Sequence, residues 1–366
     1  MPAMPFDVRD FPHAPPEDRA GGYSSRRLVA IWLFCICFMI LGMVVLGGAT
    51  RLTGSGLSIM EWAPFRGILP PFSEAEWRRL FALYQQIPQY ALVNQGIGID
   101  GFRHIFWLEF IHRLWGRLIG LAFIGPLAWL WATHRIERRL RPRLALLFVL
   151  GGAQGGVGWF MVASGFLPDS TAVSPYRLVV HLALALVLYA AILWTGLSVL
   201  RAHPARAAGH GVLDALVGAV VVLVALTILA GGFVAGTHAG LDYNTFPLMD
   251  GRLVPSGYAA LEPFWRNLVE NVAAVQFDHR LLASLTAIAT ATALAVGLSG
   301  PAPRTPRLSL LALAGMVALQ YGLGVATLLG VVPVGLATAH QGVAVLVLTA
   351  ALVALHRLRH AAGDRT

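Results

Sequence analysis

Four histidines are the residues of this sequence best suited to chemistry, because each interrupts a long apolar stretch: His112, His181, His279 and His340. An ionisable side chain within hydrocarbon is costly and is a functional candidate by default. Two imidazoles held at the same depth by different helices can ligate one haem iron from both sides, and an apolar bundle can bury the porphyrin ring. The four histidines therefore predict two haem sites.

Other interpretations of these histidines are less well supported. A single histidine in a membrane helix most often serves an interhelical hydrogen bond, but four at corresponding positions favour a shared ligand. Structural zinc prefers four close ligands, often including thiolates. The two cysteines, Cys35 and Cys37, instead share the first apolar stretch, where we expect buried, inert thiols. His238, in a long loop, is kept as a further candidate ligand.

A carboxylate accompanies only one of the four histidines. Glu109 lies three residues before His112, a spacing that puts both on nearly the same helix face, one turn apart. The equivalent position before the third histidine is Gln276, which cannot ionise. Glu109 could accept a proton or stabilise developing positive charge, or it could form a buried ion pair with Arg113 or Arg117. Because glutamine serves at the equivalent position, we expect Glu109→Gln to be structurally tolerated.

An arginine directly follows the histidine in two of the four cases. Arg113 follows His112, and Arg280 follows His279. Either guanidinium could hold a haem propionate through charge-assisted hydrogen bonds, or it could anchor the end of its helix near the headgroups. Both interpretations stay open from the sequence.

The elements that must position these residues are long apolar segments. Of the 366 residues, 57% are hydrophobic and 12% are charged, about half the charged fraction of a soluble protein. Eight segments are long enough to cross roughly 30 Å of hydrocarbon as helices. They are 28–48, 105–132, 144–164, 178–200, 212–234, 275–298, 308–329 and 336–355. We therefore predict an all-α polytopic membrane protein with eight transmembrane helices.

The two halves of the sequence repeat one another. The related strings are EFIHRL at 109–114 with QFDHRL at 276–281, QGGVG at 154–158 with QYGLG at 320–324, His181 with His340, and Gly47-Gly48 with Gly231-Gly232. Because four helices return the chain to its starting side, we predict two parallel, repeated four-helix bundles. The glycine pairs at 151–152 and 155–156 favour close packing of a neighbouring helix over contact with a flat ligand.

Arginine in the short loops indicates the orientation. The net charge is +9, and arginines cluster after the second, fourth and sixth apolar segments and in the C-terminal tail. The positive-inside rule makes these regions and both termini cytoplasmic, and the loops 49–104 and 235–274 external. No basic patch carries interleaved aromatic residues, so the predicted surroundings are membrane lipid and no nucleic acid.

The predicted domain organisation follows from the repeat and the loops. It comprises a disordered cytoplasmic tail at 1–27, an N-terminal bundle at 28–200, a cytoplasmic linker at 201–211, a C-terminal bundle at 212–357 and a cytoplasmic tail at 358–366. We expect the first bundle to hold a substrate haem and the second to hold a haem cofactor, as the following resemblance implies.

Several longer strings resemble the haem A synthase family. They are GGATRLTGSGLS at 47–58, EW at 61–62, FWLEFIHR at 106–113, GR at 116–117, GLDYNTFPLM at 240–249, QFDHR at 276–280 and HQ at 340–341. The resemblance covers about residues 28–355. The outer loops lack the cysteine pair that some bacterial members carry, so the chain resembles the branch shared by proteobacteria and mitochondria.

The resemblance implies an enzyme of the inner membrane that oxidises the C8 methyl group of haem O to a formyl group, giving haem A for terminal oxidases. It implies that His279 and His340 ligate a haem b cofactor. It also implies that His112 and His181 meet the iron of the substrate haem, beside Glu109. The implied partners are haem O, haem O synthase and an electron-transfer protein, and formation of a homo-oligomer stays open.

Two other classes of protein remain as alternatives. A di-haem b-type electron-transfer cytochrome would do no chemistry on the porphyrin, and it gives no reason for Glu109 to stand opposite Gln276. A transporter with alternating access also fits an internal repeat, but its site is expected at the midplane. Here the four histidines are predicted near the outer ends of their helices. An oxidising enzyme is therefore the leading prediction.

Overall fold

The computed structural model describes residues 16–62, 66–201, 211–300 and 304–360, and every regular element in these ranges is helical. The α-helices are α1 (Pro16–Leu52), α2 (Glu74–Tyr84), α3 (Pro88–Leu92), α4 (Ile99–Ala132), α5 (Arg141–Ala163), α6 (Pro175–Val199), α7 (Val212–Gly236), α8 (Val272–Ser299), α9 (Arg304–Leu329) and α10 (Val334–His360). All except α2 and α3 are long and apolar enough to cross a membrane. The predicted fold of eight membrane-spanning helices is confirmed for the described residues.

The first helix is longer than the apolar pattern indicated. Helix α1 begins at Pro16, so 16–27 of the predicted disordered tail are helical, while 1–15 lie outside the described residues. Proline is favourable at the first helical position, and no further proline interrupts the chain before the apolar stretch. The predicted linker and C-terminal tail lie outside the described residues at 202–210 and 361–366. The domain boundaries therefore stay a prediction.

Two groups of four long helices pack directly against each other. The first group is α1, α4, α5 and α6, and the second is α7, α8, α9 and α10. Tyr189 of α6 and Thr349 of α10 share a hydrogen bond of 2.7 Å. Gln341 of α10 donates to the carbonyl of Val44 in α1 at 3.1 Å. Gly48 of α1 permits this approach, because a Cβ there would collide with the Gln341 side chain. Buried apolar side chains from both groups form one continuous cluster.

Two contacts each join two helix ends, and the alternating direction of successive long helices puts both pairs on the same side. Arg26 of α1 pairs with Glu137, in the loop after α4, at 2.7 Å. Arg201, after α6, donates to the carbonyl of His360 at the end of α10 at 2.9 Å. The described parts of the two long connections, 53–62 with 66–98 and 237–271, therefore lie at the opposite end of the helices, which we call the loop end.

The first long connection is folded onto the start of α4. Helix α2 begins after Ser73, whose hydroxyl caps the helix by accepting from the backbone of Glu76 at 3.2 Å. Trp77 of α2 meets Phe106 of α4 edge to face, with ring centroids 4.8 Å apart. Tyr84 is fully buried in the same aromatic cluster. This packing fixes the loop end of α4, the helix that carries Glu109 and His112.

The two cysteines face different surroundings. Cys37 is buried, as expected, but Cys35 is exposed on the outside of the helix bundle. Residues two apart on a helix point in nearly opposite directions, so both cannot face the core. The expectation of burial is wrong for Cys35.

Candidate functional site

His279 of α8 and His340 of α10 face each other in the second half. Their ring centroids are 6.4 Å apart and their planes are nearly perpendicular, at 89°. Nδ1 of His279 lies 3.1 Å from the carbonyl oxygen of Thr227. Because a carbonyl can only accept, Nδ1 carries the proton and Nε2 keeps its lone pair. Metal–imidazole bonds measure about 2 Å, so one iron between two imidazoles would hold the centroids about 6 Å apart. The separation of the two rings is therefore compatible with a bis-histidine haem.

His112 of α4 and His181 of α6 each lie against a glycine of a neighbouring helix. A Cβ on Gly47 of α1 would lie 3.2 Å from Nε2 of His112. A Cβ on Gly158 of α5 would lie 2.9 Å from Cε1 of His181. Such short distances leave room for the imidazole only when the neighbour is glycine.

The second half makes the same contacts at the corresponding positions. A Cβ on Gly231 of α7 would lie 3.1 Å from Cε1 of His279, and one on Gly324 of α9 would lie 2.9 Å from Cε1 of His340. These contacts agree with the predicted repeat. In the described ranges, no group of three or more His, Cys, Asp and Glu side chains is placed to hold a bare metal ion.

Glu109 is buried, with 2% of its surface exposed, and both of its oxygens accept hydrogen bonds. Oε2 accepts from the hydroxyl of Ser58 at 2.8 Å and from the backbone N–H of Ile59 at 2.9 Å. Oε1 accepts from Arg113, at 3.0 Å from Nε and 2.5 Å from Nη2. The ion pair with Arg113 that the sequence left open is therefore present. The hydrogen bonds from Ser58 and Ile59 to Glu109 tie the loop after α1 to α4.

Gln276 ties the second long loop to α8 with the opposite polarity. Its Nε2 donates to the carbonyls of Ala239 and Asp242, both at 2.6 Å. Its Oε1 accepts from Nη2 of Arg280 at 2.6 Å. Both side chains thus connect a helix to a long loop. The loop offers hydrogen-bond donors to Glu109 but hydrogen-bond acceptors to Gln276.

Both arginines after the histidines reach the loop backbone. Arg113 donates to the carbonyl of Ile59 at 2.7 Å and to that of Glu61 at 3.1 Å. Arg280 donates to the carbonyls of Tyr243 and Thr245 at 2.7 Å and 2.9 Å. Anchoring of helix to loop is thus one role of both arginines, and propionate binding stays a prediction.

The glycine run of α5 does not pack against another helix. A Cβ on any of four glycines would meet no other atom of the described residues within 4 Å: Gly151, Gly152, Gly155 and Gly156. The expectation of close helix packing is therefore wrong at these positions. In α9, Tyr321 stands at the place of Gly155, and its hydroxyl lies 3.1 Å from Ser284 Oγ of α8. At this position a side chain connects α9 to α8 in the second half, whereas in the first half the face of α5 is open.

His238 lies apart from the two histidine pairs. It lines a cavity of about 430 Å³ at the loop end, together with Arg177 and several hydroxyl side chains. Its backbone is left-handed, with φ of 58°. Burial lowers the pKa of His238, and the positive charge of Arg51 lowers it further. The structure does not bring His238 into either pair.

Sequence reasoning missed two partners of the site. Ser58 belongs to a string quoted for the family resemblance, but its hydroxyl gave no separate chemical signal. Thr227 acts through its backbone carbonyl, which any residue would offer. Only the packing of α7 against α8 shows that this carbonyl accepts from His279.

The fold and the four histidines define a polytopic helical membrane protein with two candidate ligand sites. A family model described as "Cytochrome oxidase assembly protein" matches residues 30–352. The chain belongs to this family, and the family expected from its motifs is confirmed.

Curated relatives cover nearly the whole chain. A protein of Granulibacter bethesdensis named "Heme A synthase" is 65% identical over 338 residues, which are 92% of this chain and 89% of the relative. "Heme A synthase 2" of Acidiphilium cryptum is 47% identical over 94% of this chain and 95% of its own length. "Heme A synthase" of Nitrosospira multiformis is 47% identical over 94% of this chain and 97% of its own length.

Proposed function

We propose that this protein is an oxidoreductase that converts haem O to haem A for terminal oxidases. It oxidises the C8 methyl group of the substrate to a formyl group in two successive two-electron steps, through an alcohol. The observation that carries the proposal is the 65% identity, over 92% of the chain, to a relative named "Heme A synthase". The two histidine pairs support it, because substrate and cofactor would both be haems.

A haem b cofactor is assigned to the second half. When bound, it would supply one-electron redox chemistry. His279 and His340 would hold its iron, and the Thr227 carbonyl would keep Nε2 of His279 free to ligate. Nε of Arg280 is buried without a hydrogen-bond partner among the described residues. That unused donor supports propionate binding by Arg280 in addition to its contact with the loop.

The substrate haem is assigned to the first half, where His112 and His181 would meet its iron. The open face of α5 supports this choice, because an exchangeable ligand with a long isoprenoid tail needs room that a permanent cofactor does not. The α9 position equivalent to Gly155 is instead filled by Tyr321. Arg113 is proposed to steady the propionate side of this half through the loop it holds.

Glu109 is proposed to stabilise positive charge that builds on the reacting methyl carbon. Its carboxylate lies one helical turn from His112, in a nearly water-free position. Its two oxygens already accept from Ser58, Ile59 and Arg113. Taking a proton from the substrate would require one of these donors to leave, so the hydrogen bonding favours charge stabilisation over proton transfer.

The proposed location is the cell inner membrane, with both termini in the cytoplasm. The arginine-rich loops support this orientation through the positive-inside rule. The loop end, and with it the histidine pairs, would then face the outer side. Haem O synthase and an electron acceptor are the proposed partners.

Pigment analysis tests this function. Membranes that contain this protein and a source of haem O should yield haem A when their haems are extracted and separated by chromatography. The same membranes without the protein serve as the control and should yield haem O alone. If haem O stays unchanged while the protein carries haem b, the protein is instead an electron-transfer cytochrome.

A further inference from the structure

One glutamine occupies the same place in each half, beside the second histidine of the pair. Gln154 of α5 and Gln320 of α9 each stand one helical turn before the glycine that touches that histidine, Gly158 or Gly324. Neither glutamine has a part in the proposed function so far.

In the first half, the amide of Gln154 lies directly on the imidazole of His181. Its Nε2 is 3.2 Å from Nδ1 and 3.4 Å from Nε2 of the ring, and 3.0 Å from the carbonyl oxygen of His181. Its Oε1 is buried and has no hydrogen-bond partner among the described residues. The amide therefore carries an unused acceptor within reach of the imidazole.

The second half repeats this arrangement. Nε2 of Gln320 is 3.5 Å from Nε2 of His340. Both Oε1 of Gln320 and Nδ1 of His340 are buried and lack a partner within the described ranges. The unused acceptor and the unused ring nitrogen thus belong to two side chains that are in contact through their other nitrogens. His279, the other member of the pair, already has the Thr227 carbonyl.

Iron ligation decides which ring nitrogen needs a partner. When Nε2 of a histidine binds iron, Nδ1 carries the proton and must donate it to an acceptor. An amide can present either its oxygen or its nitrogen to the same neighbour after rotation about one bond. A flip of the Gln320 amide and a rotation of the His340 ring would be needed to bring the two unused atoms together.

We propose that Gln154 and Gln320 are positioning residues, whose amide oxygens accept the Nδ1–H of His181 and His340 when these histidines ligate haem iron. This inference rests on the proposed haem ligation. A hydrogen bond of this kind fixes the ring tautomer and makes the imidazole a stronger donor to iron. It stabilises the oxidised metal and so lowers the reduction potential of the haem.

The test is a redox titration of low-spin haem b in the purified full-length protein. Gln320→Leu removes the acceptor, so the midpoint potential should move to a more positive value. Gln320→Glu supplies a stronger acceptor and should move it to a more negative value. Gln154→Leu, the matched change in the other half, should leave the haem b potential at that of the unmodified protein.

The outcomes separate this inference from the function on which it rests. A wild-type potential and full haem b content in Gln320→Leu would overturn the positioning role, even if haem A is made. If Gln320→Leu loses haem b, retention by Gln320→Glu at a more negative potential supports the role, and equal loss from both variants overturns it. Unmodified protein without haem b would contradict the proposed function itself, and this inference with it.

Discussion

Glu109 can ionise and Gln276 cannot, and the loop that contacts each side chain offers hydrogen-bonding groups of the opposite kind. Glu109 accepts from Ser58 and from the backbone N–H of Ile59. Gln276 donates to two backbone carbonyls, which a carboxylate could not satisfy. The side chains are therefore not interchangeable, although the sequence alignment of the halves suggested that they are. The polarity of the loop decides this, and it is a tertiary contact that no local pattern encodes.

Exchange of the two side chains should destabilise both halves. Glu109→Gln places an amide N–H₂ against existing donors, and Gln276→Glu places a carboxylate against carbonyl oxygens. A buried polar group left without a partner costs about 1–3 kcal/mol, and more where it leaves Arg113 unpaired. We expect each variant to melt several degrees below the unmodified protein in detergent, as followed by circular dichroism. The expectation of a structurally neutral Glu109→Gln is revised accordingly.

A surface ion pair provides the control for this exchange. Glu137 pairs with Arg26, and its side chain is 54% exposed. Exposed pairs contribute about 0–1 kcal/mol, so Glu137→Gln should melt close to the unmodified protein. A melting temperature of Glu109→Gln equal to that of Glu137→Gln would show that the loop connection at Glu109 carries no stability.

Helices α5 and α9 occupy equivalent places but present different faces. Helix α5 carries four glycines whose Cβ positions would meet nothing of the described residues within 4 Å. Helix α9 carries the buried Val317 and the hydrogen-bonded Tyr321 in the same register. The sequence shows these glycines but does not predict what surrounds them. Small residues are expected both where two helices pack closely and where a helix face stays open.

A tyrosine at position 155 should fill the open face of α5. Gly155→Tyr introduces the residue that stands at the equivalent position of the second half. Misplacement of the substrate should lower haem A formation on the order of tenfold or more, while the haem b spectrum stays unchanged. The measurement compares extracted haem A with bound haem b in the same membranes.

Gly125→Tyr is the matched control for that change. Gly125 lies in α4, and a Cβ there would also meet no other atom of the described residues within 4 Å. It stands about 20 Å along the helix from His112. We expect haem A formation to continue with Gly125→Tyr. Unchanged haem A formation with Gly155→Tyr would remove the support that the α5 face gives to a substrate site.

The sequence predicted the spans and the four histidines because both depend on composition and spacing, which one chain displays directly. It placed the start of α1 too late, since charged residues outside hydrocarbon can continue a helix. It missed the Thr227 carbonyl, which becomes an acceptor only when α7 and α8 pack together. The helix positions of the histidines were therefore readable from the sequence, but the hydrogen bonding around them was not.

At the scale of the whole molecule, two similar groups of four helices share one apolar core and differ in their sites. The second half has a histidine pair at the spacing of a bis-histidine haem and a bridged α8–α9 face. The first half has His112 and His181, each against a glycine of a neighbouring helix, an open α5 face and the buried Glu109–Arg113 pair. The shared core holds the two candidate sites in a fixed relation, which the proposed transfer of electrons from a substrate to a cofactor would require.

The division of labour between the halves is tested most directly by the haem content of two purified variants, His112→Ala and His340→Ala, prepared with a source of haem O. His112→Ala should keep the low-spin haem b spectrum and contain neither haem O nor haem A. His340→Ala should lose that spectrum, and His104→Ala, an exposed position on α4, should resemble the unmodified protein. Loss of haem b from His112→Ala together with its retention in His340→Ala would contradict the account.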